Sequence, residues 1–242
     1  MIPTLNDLLA WLRNETALPI PAPGTEENPA MPNPAAASVA GAILGLCGAL
    51  ALLLCWLLWL PSLAIAAGTV AALAIAGGMK KESGLVRAGD KLSFAGGGNA
   101  LLIVLLLFET AALDGLIVYH APSAALAVIA AVMLGLTVTV AFRSTQPARN
   151  IIEPGEAFAG EKGGPLQGLL IGAVVLAIVL LLPAYRIGPT AAALIAALAA
   201  FTIVATVARK QSESDVPDFS TLAGKAAEIA VLVFVLALLR SS

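Results

Sequence analysis

The chain has 242 residues, of which 60% are apolar and only 12% charged, against about 25% charged in an average soluble domain. Mean hydropathy is +0.96, the net charge is -2, and there are two cysteines. These figures exclude a soluble globular enzyme, a disordered chain, a nucleic-acid binder and a disulfide scaffold. They predict an all-α, polytopic integral membrane protein in a lipid bilayer.

Residues 4–14 open the chain with Leu5, Leu8, Leu9 and Leu12 at helical spacing and Trp11 beside them. Thr4 and Asp7 have the spacing of a capping box. The segment reads as an amphipathic helix lying in the membrane interface, not as a signal peptide. Six prolines follow within 19–35, the composition of an extended linker. The expected division is therefore 1–35, amphipathic helix and linker, and 36–242, a transmembrane helical domain.

A bilayer-spanning helix needs about 20 mostly apolar residues. Stretches 36–59, 62–78, 99–119, 122–142, 166–184, 189–208 and 222–239 reach or approach that length. The second and seventh are short, so six or seven spans are expected. With seven, Arg13, Lys80, Lys81, Arg87, Lys91, Arg143, Arg149, Lys162, Arg209, Lys210 and Lys225 fall on one side, and Arg186 and Arg240 on the other. Cations collect on the cytoplasmic side of membrane proteins. The N-terminus and the loops 79–98, 143–165 and 209–221 are therefore expected to be cytoplasmic.

Ionisable groups at membrane depth are costly and are functional candidates by default. Glu109 and Asp114 lie in the third span and Glu228 in the last. Glu109 and Asp114 are about 140° apart around a helix and do not pair. Glu109 reads either as a neutralised carboxyl or as part of a cation path. Lys225 precedes Glu228 by three residues, the spacing of an ion pair on one face. His120, alone in the chain, cannot build a zinc site. No Walker loop or GxGxxG motif is present.

The loop MKKESGLVRAGDKLSFAGGG, 79–98, joins Lys80, Lys81, Arg87 and Lys91 to a run of glycines before a helix start. Glycine permits close backbone approach, and a helix N-terminus favours phosphate. The loop reads either as a phosphate-binding mouth or as a basic topogenic loop. In 143–164, Arg143 and Arg149 are candidate phosphate contacts. In 209–221, Asp218 is among the carboxylates whose hard oxygens suit magnesium.

Several segments together resemble the cobalamin synthase family, the adenosylcobinamide-GDP ribazoletransferases. DLLAWLRNETALPIP, 7–21, is similar to the family's amphipathic start and its TRLPVP-type turn. ESGLVRAGDKL, 82–92, resembles the EDGLADTADGL signature. Ala148, Arg149, Phe158, Ala159 and Gly160 follow the central-loop order. DFSTLAGKAAEIAVLVFVLAL, 218–238, resembles the closing helix, with Asp218 and Glu228 at the family spacing. Asp90 is retained from the acidic signature, while Ser83 and Arg87 stand at its first two aspartates and Lys81 at the family's histidine. Gly135 or its neighbour stands where the family has an arginine in the fourth span.

The resemblance implies a cell-inner-membrane transferase with corrinoid nucleotide and ribazole substrates, with other cobalamin-assembly enzymes as potential partners. It would join alpha-ribazole, or its phosphate, to adenosylcobinamide-GDP and release GMP, with magnesium as cofactor. It implies Asp90, Asp218 and Glu228 as catalytic residues, the first two as metal ligands. Lys80, Lys81, Gly84, Arg87 and Arg149 would bind substrate. The departures in the signature leave a catalytically impaired paralogue acting as a scaffold as an alternative. A small transporter using Glu109 and Asp114 is another.

Overall fold

In a computed structural model, the described residues are 4–17, 19–20, 34–92, 97–145 and 216–240. They form six α-helices: α1 (Leu5–Glu15), α2 (Pro34–Leu57), α3 (Ser62–Ala76), α4 (Lys80–Lys91), α5 (Gly97–Thr145) and α6 (Val216–Arg240). The spans expected at 166–184 and 189–208, and Arg149, lie outside the described residues.

Among the described residues three helices are long and apolar enough to cross a membrane, Ala36–Leu57, Gly97–Arg143 and Pro217–Ala237, or four if the bent pair Ser62–Ala76 and Lys80–Lys91 is one span. As one straight rod the 49 residues of α5 would run about 74 Å, over twice the ~30 Å of hydrocarbon in a bilayer. The helix is broken at His120, whose φ of -167° and ψ of 105° are extended. The break falls between the stretches 99–119 and 122–142. His120 Nδ1 accepts from the Ser123 amide at 3.3 Å, one turn into the second half. Pro122 sits at that start, where its missing N–H costs nothing.

The second predicted span is shorter than expected. Helix α3 has 15 residues, about 22 Å, which falls short of a bilayer. It bends by 94° into α4, through Gly78 and Met79 at φ of 63° and 58°. The segment expected as a loop is thus largely helical. Its charges conceal a small apolar stripe: Gly84, Leu85, Ala88 and Gly89 are buried together, the i, i+1, i+4, i+5 pattern of one helix face. Helix α6 likewise begins at Val216, ahead of the predicted 222, and carries Asp218 in its first turn, where a carboxylate complements the helix dipole.

Helix α5 is central and packs on α2, α3, α4 and α6. Leu113, Leu116, Met133 and Leu134 from α5, Leu52 from α2, Leu85 from α4 and Phe219 from α6 fill the core. A second cluster fixes α1. Its Trp11 is fully buried with Leu12 against Ala36, Ala37 and Ala40 of α2 and Leu136 and Val140 of α5. The helix is amphipathic as expected, but its apolar face meets protein. The predicted capping box is formed: Thr4 N–H donates to Asp7 Oδ2 at 2.8 Å, and Asp7 N–H to Thr4 Oγ1 at 3.3 Å.

Candidate functional site

The ends of α1, α4, α5 and α6 surround a cavity of about 360 Å³, within the usual size range for small-molecule sites. Five cations line it: Arg13 from α1, Lys80, Lys81 and Arg87 from α4, and Arg143 from α5. One acid, Glu15, joins them. Pro217 and Thr221 add the first turns of α6. Residues from the predicted segments 79–98, 143–165 and 209–221 therefore meet at one place, with α1 as an unforeseen fourth wall.

The cations are held in different ways. Lys80 Nζ donates to the carbonyls of Arg13, Asn14 and Thr16 at 3.2, 2.8 and 3.2 Å. An ammonium has three donors, so these contacts use all of them. They cover carbonyls that a helix C-terminus leaves without partners. Of the predicted substrate-binding residues, Lys80 is thus occupied in holding α1. Arg87 Nε donates to Asp218 Oδ1 at 2.7 Å, and Lys91 Nζ to Asp218 Oδ2 at 2.8 Å. The Asp218 side chain is 7% exposed and that of Arg87 59%, so the acid is buried under a guanidinium that faces water. Arg143 Nε donates to Ser220 Oγ at 2.9 Å, and its Nη1 lies 3.9 Å from Glu15 Oε1.

Behind the cavity the charges run inward. Lys81 Nζ donates to Glu228 Oε1 at 2.5 Å. Lys225 Nζ reaches Glu228 Oε2 at 3.1 Å and Glu109 Oε2 at 2.6 Å. Glu109, Lys225 and Glu228 are 2%, 5% and 2% exposed. Two lysines and two glutamates from α4, α5 and α6 thereby neutralise one another. The i, i+3 pair read from the sequence is present, and its lysine is buried. Glu109 takes the neutralised form of its two readings. Asp114 stands outside this cluster, and its Oδ1 is buried with no hydrogen-bond partner among the described residues.

Two glycines make these contacts possible. A Cβ on Gly135 would collide with Glu228 Cγ. The position where the resemblance expects an arginine is thus taken up by the glutamate itself, and lysines of α4 and α6 supply the charge. A Cβ on Gly84 would come within 3.0 Å of Thr221 Oγ1, so Gly84 sets how closely α4 meets α6. Its predicted contact is with substrate; its observed neighbour is a helix.

Asp90 is exposed and accepts from the Gly98 amide at 2.5 Å, tying the end of α4 to the start of α5. Among the described residues no three His, Cys, Asp or Glu side chains form a group able to hold a metal ion. Both oxygens of Asp218 and both of Glu228 already face cations. As paired here, Asp218 and Glu228 do not fit as magnesium ligands. What the arrangement suits is an anion, with cations held by buried acids and aimed at one cavity.

The sequence alone missed Arg13 and the pairing of Lys91 with Asp218. The signal for Arg13 was its place in the last turn of α1, two residues from a tryptophan in the apolar stripe.

No family model matches the chain. No solved structure matches it. It is 30% identical over 257 aligned positions to the adenosylcobinamide-GDP ribazoletransferase of Azorhizobium caulinodans, an alignment covering 96% of each chain. Near-complete coverage at that identity, on a helical membrane framework, places the chain in the adenosylcobinamide-GDP ribazoletransferase (cobalamin synthase) family.

Proposed function

We propose that the protein joins alpha-ribazole, or its phosphate, to adenosylcobinamide-GDP in the last assembly step of cobalamin biosynthesis. The observation that carries this reading is the cavity lined by Arg13, Lys80, Lys81, Arg87 and Arg143. A diphosphate brings negative charge that such a cavity neutralises. In the proposed reaction a ribazole hydroxyl oxygen attacks the phosphorus on the corrinoid side. The P–O–P bond breaks, GMP leaves with the bridging oxygen, and the hydroxyl proton passes to a base. Phosphoryl transfer of this kind depends mostly on positioning and charge neutralisation.

Lys81 and Arg87 are the proposed diphosphate contacts, with Arg149 a further candidate from the resemblance. Asp218 and Glu228 act as positioning residues that hold those cations. Asp90, one turn beyond Arg87, is the proposed base. No step is assigned to magnesium, because both oxygens of Asp218 and both of Glu228 already face cations. Magnesium dependence is proposed from the resemblance alone, and titrating magnesium against turnover in isolated membranes measures it. The proposed setting is the cell inner membrane, with the N-terminus and the cavity on the cytoplasmic side and other cobalamin-assembly enzymes as neighbours.

Complementation tests the reading. A strain lacking cobalamin synthase, supplied with cobinamide and ribazole, should grow with this gene. Absence of growth despite membrane expression would reject catalysis. The second reading, a substrate-binding paralogue with impaired chemistry, is favoured by the double engagement of Asp218 by Arg87 and Lys91. It predicts nucleotide binding without growth.

A further inference from the structure

The position of α1 says more about what the cavity takes. The last turn of a helix presents free carbonyls and a negative dipole end, which repel an anion. Here Lys80 covers three of those carbonyls, and the Ala17 amide donates to the Ala76 carbonyl at 2.9 Å. With Trp11 and Leu12 buried against α2 and α5, the end of α1 is fixed beside the cavity, its carbonyls offset by Lys80 and its Glu15 carboxylate facing Arg143. Arg13 then lines the cavity, exposed and with no acidic partner among the described residues. Arg143 lines it too, its guanidinium oriented by Ser220 through Nε, with Glu15 at 3.9 Å beyond hydrogen-bonding reach. Arg13 differs from Lys81 and Arg87, which hold buried carboxylates at 2.5 and 2.7 Å, and Arg143 holds its own acid, Glu15, at a longer 3.9 Å.

We propose that α1 is a wall of the binding site. Arg13 and Arg143 form a second phosphate subsite beside the one at Lys81 and Arg87. The site therefore selects a diphosphate, free or as a nucleoside diphosphate, over a monophosphate. This rests on the anion-binding reading above and adds which residues distinguish two phosphates from one.

The full chain in lipid nanodiscs is titrated calorimetrically with inorganic pyrophosphate, GDP and inorganic phosphate. The parent should bind pyrophosphate and GDP about tenfold or more tighter than phosphate, as an added charge-assisted contact implies. Arg13→Ala should lose about tenfold toward pyrophosphate and GDP and leave phosphate unchanged. Arg13→Lys should recover part of the loss. Arg87→Ala should weaken all three ligands. Arg143→Lys, which keeps the charge and loses the fork, should reduce the diphosphate preference as Arg13→Ala does, and it decides the matter if Arg13→Ala unfolds. An undiminished diphosphate preference in both arginine variants, with Arg87→Ala still weakening all ligands, overturns the subsite and leaves the anion site standing. A parent that binds none of the three ligands overturns both.

Discussion

The structure holds two clusters of opposite charges that share their chemistry and differ in depth. Around Asp218, Arg87 and Lys91 sit at the rim, with the arginine side chain 59% exposed. Around Lys225, Glu109 and Glu228 are almost wholly enclosed. In the outer cluster, water screens the cations while two of them share the buried Asp218, so the loss of either one leaves the acid paired and costs about 1 kcal/mol. Its cations can turn to a ligand. In the inner cluster, a lone charge would face the full cost of desolvation. Its members are tied to one another and join α5 to α6. Lys81 links the clusters' two depths, lining the cavity while it donates to Glu228. On the proposed reading, depth rather than residue type separates the acid-paired cations that join α5 to α6 from those that meet substrate.

The contrast is broken most severely at Lys225. Lys225→Met leaves Glu109 without its 2.6 Å partner and should cost about 3–5 kcal/mol. The checks are the thermal unfolding midpoint in detergent and the yield of folded protein. A midpoint within a degree of the parent would mean that the inner cluster does not hold the bundle. At the rim the order reverses. Arg87→Ala should cost about 1 kcal/mol of stability and weaken pyrophosphate binding about tenfold, read by calorimetry at low salt. Raising the salt should weaken the parent's binding further, since charges at the rim are screened over about 10 Å at 0.1 M.

Smaller effects belong to α1. Lys80→Met removes the cover from three carbonyls and should cost about 1 kcal/mol. Hydrogen exchange at residues 13–17 should rise while the core of α5 is unaffected. Thr4→Ala removes the exposed cap at the other end of α1 and should cost about 0.5 kcal/mol, at the low end for caps. Exchange confined to the first turn of α1 measures it.

What could be read from the sequence was local. The Thr4–Asp7 box and the Lys225–Glu228 pair lie within one helical turn, so spacing suffices to find them. The apolar lengths of α2 and α5 marked spans, because hydropathy is what a bilayer selects. The pairing of Lys225 with Glu109 was out of reach, since it depends on how two helices far apart in the chain cross. Helix α4 was taken for a loop because its glycines and charges outweigh a four-residue apolar stripe. The seating of α1 on α2 and α5 was out of reach for a related reason. An amphipathic stripe states that one face is buried, and Trp11 fits lipid as well as it fits α2. For the site, the resemblance implied Lys81 and Arg87 as substrate contacts, Asp218 as a metal ligand and Glu228 as a catalytic residue, without pairing the acids to the cations of α4. Their observed pairing reflects a cost that sequence does not display: a buried acid takes the nearest cation.

The clamp between Lys80 and the end of α1 also has a consequence for the order of synthesis. Asn14 waits 66 positions for the lysine that binds its carbonyl, and Leu136 and Val140, which cover Trp11, emerge later still. Helix α1 is therefore translated before the residues that hold it. In the interval its apolar stripe needs another surface, and the membrane interface offers one. An N-terminal fusion that delays this seating should leave the bundle inserted and its cavity short of a wall.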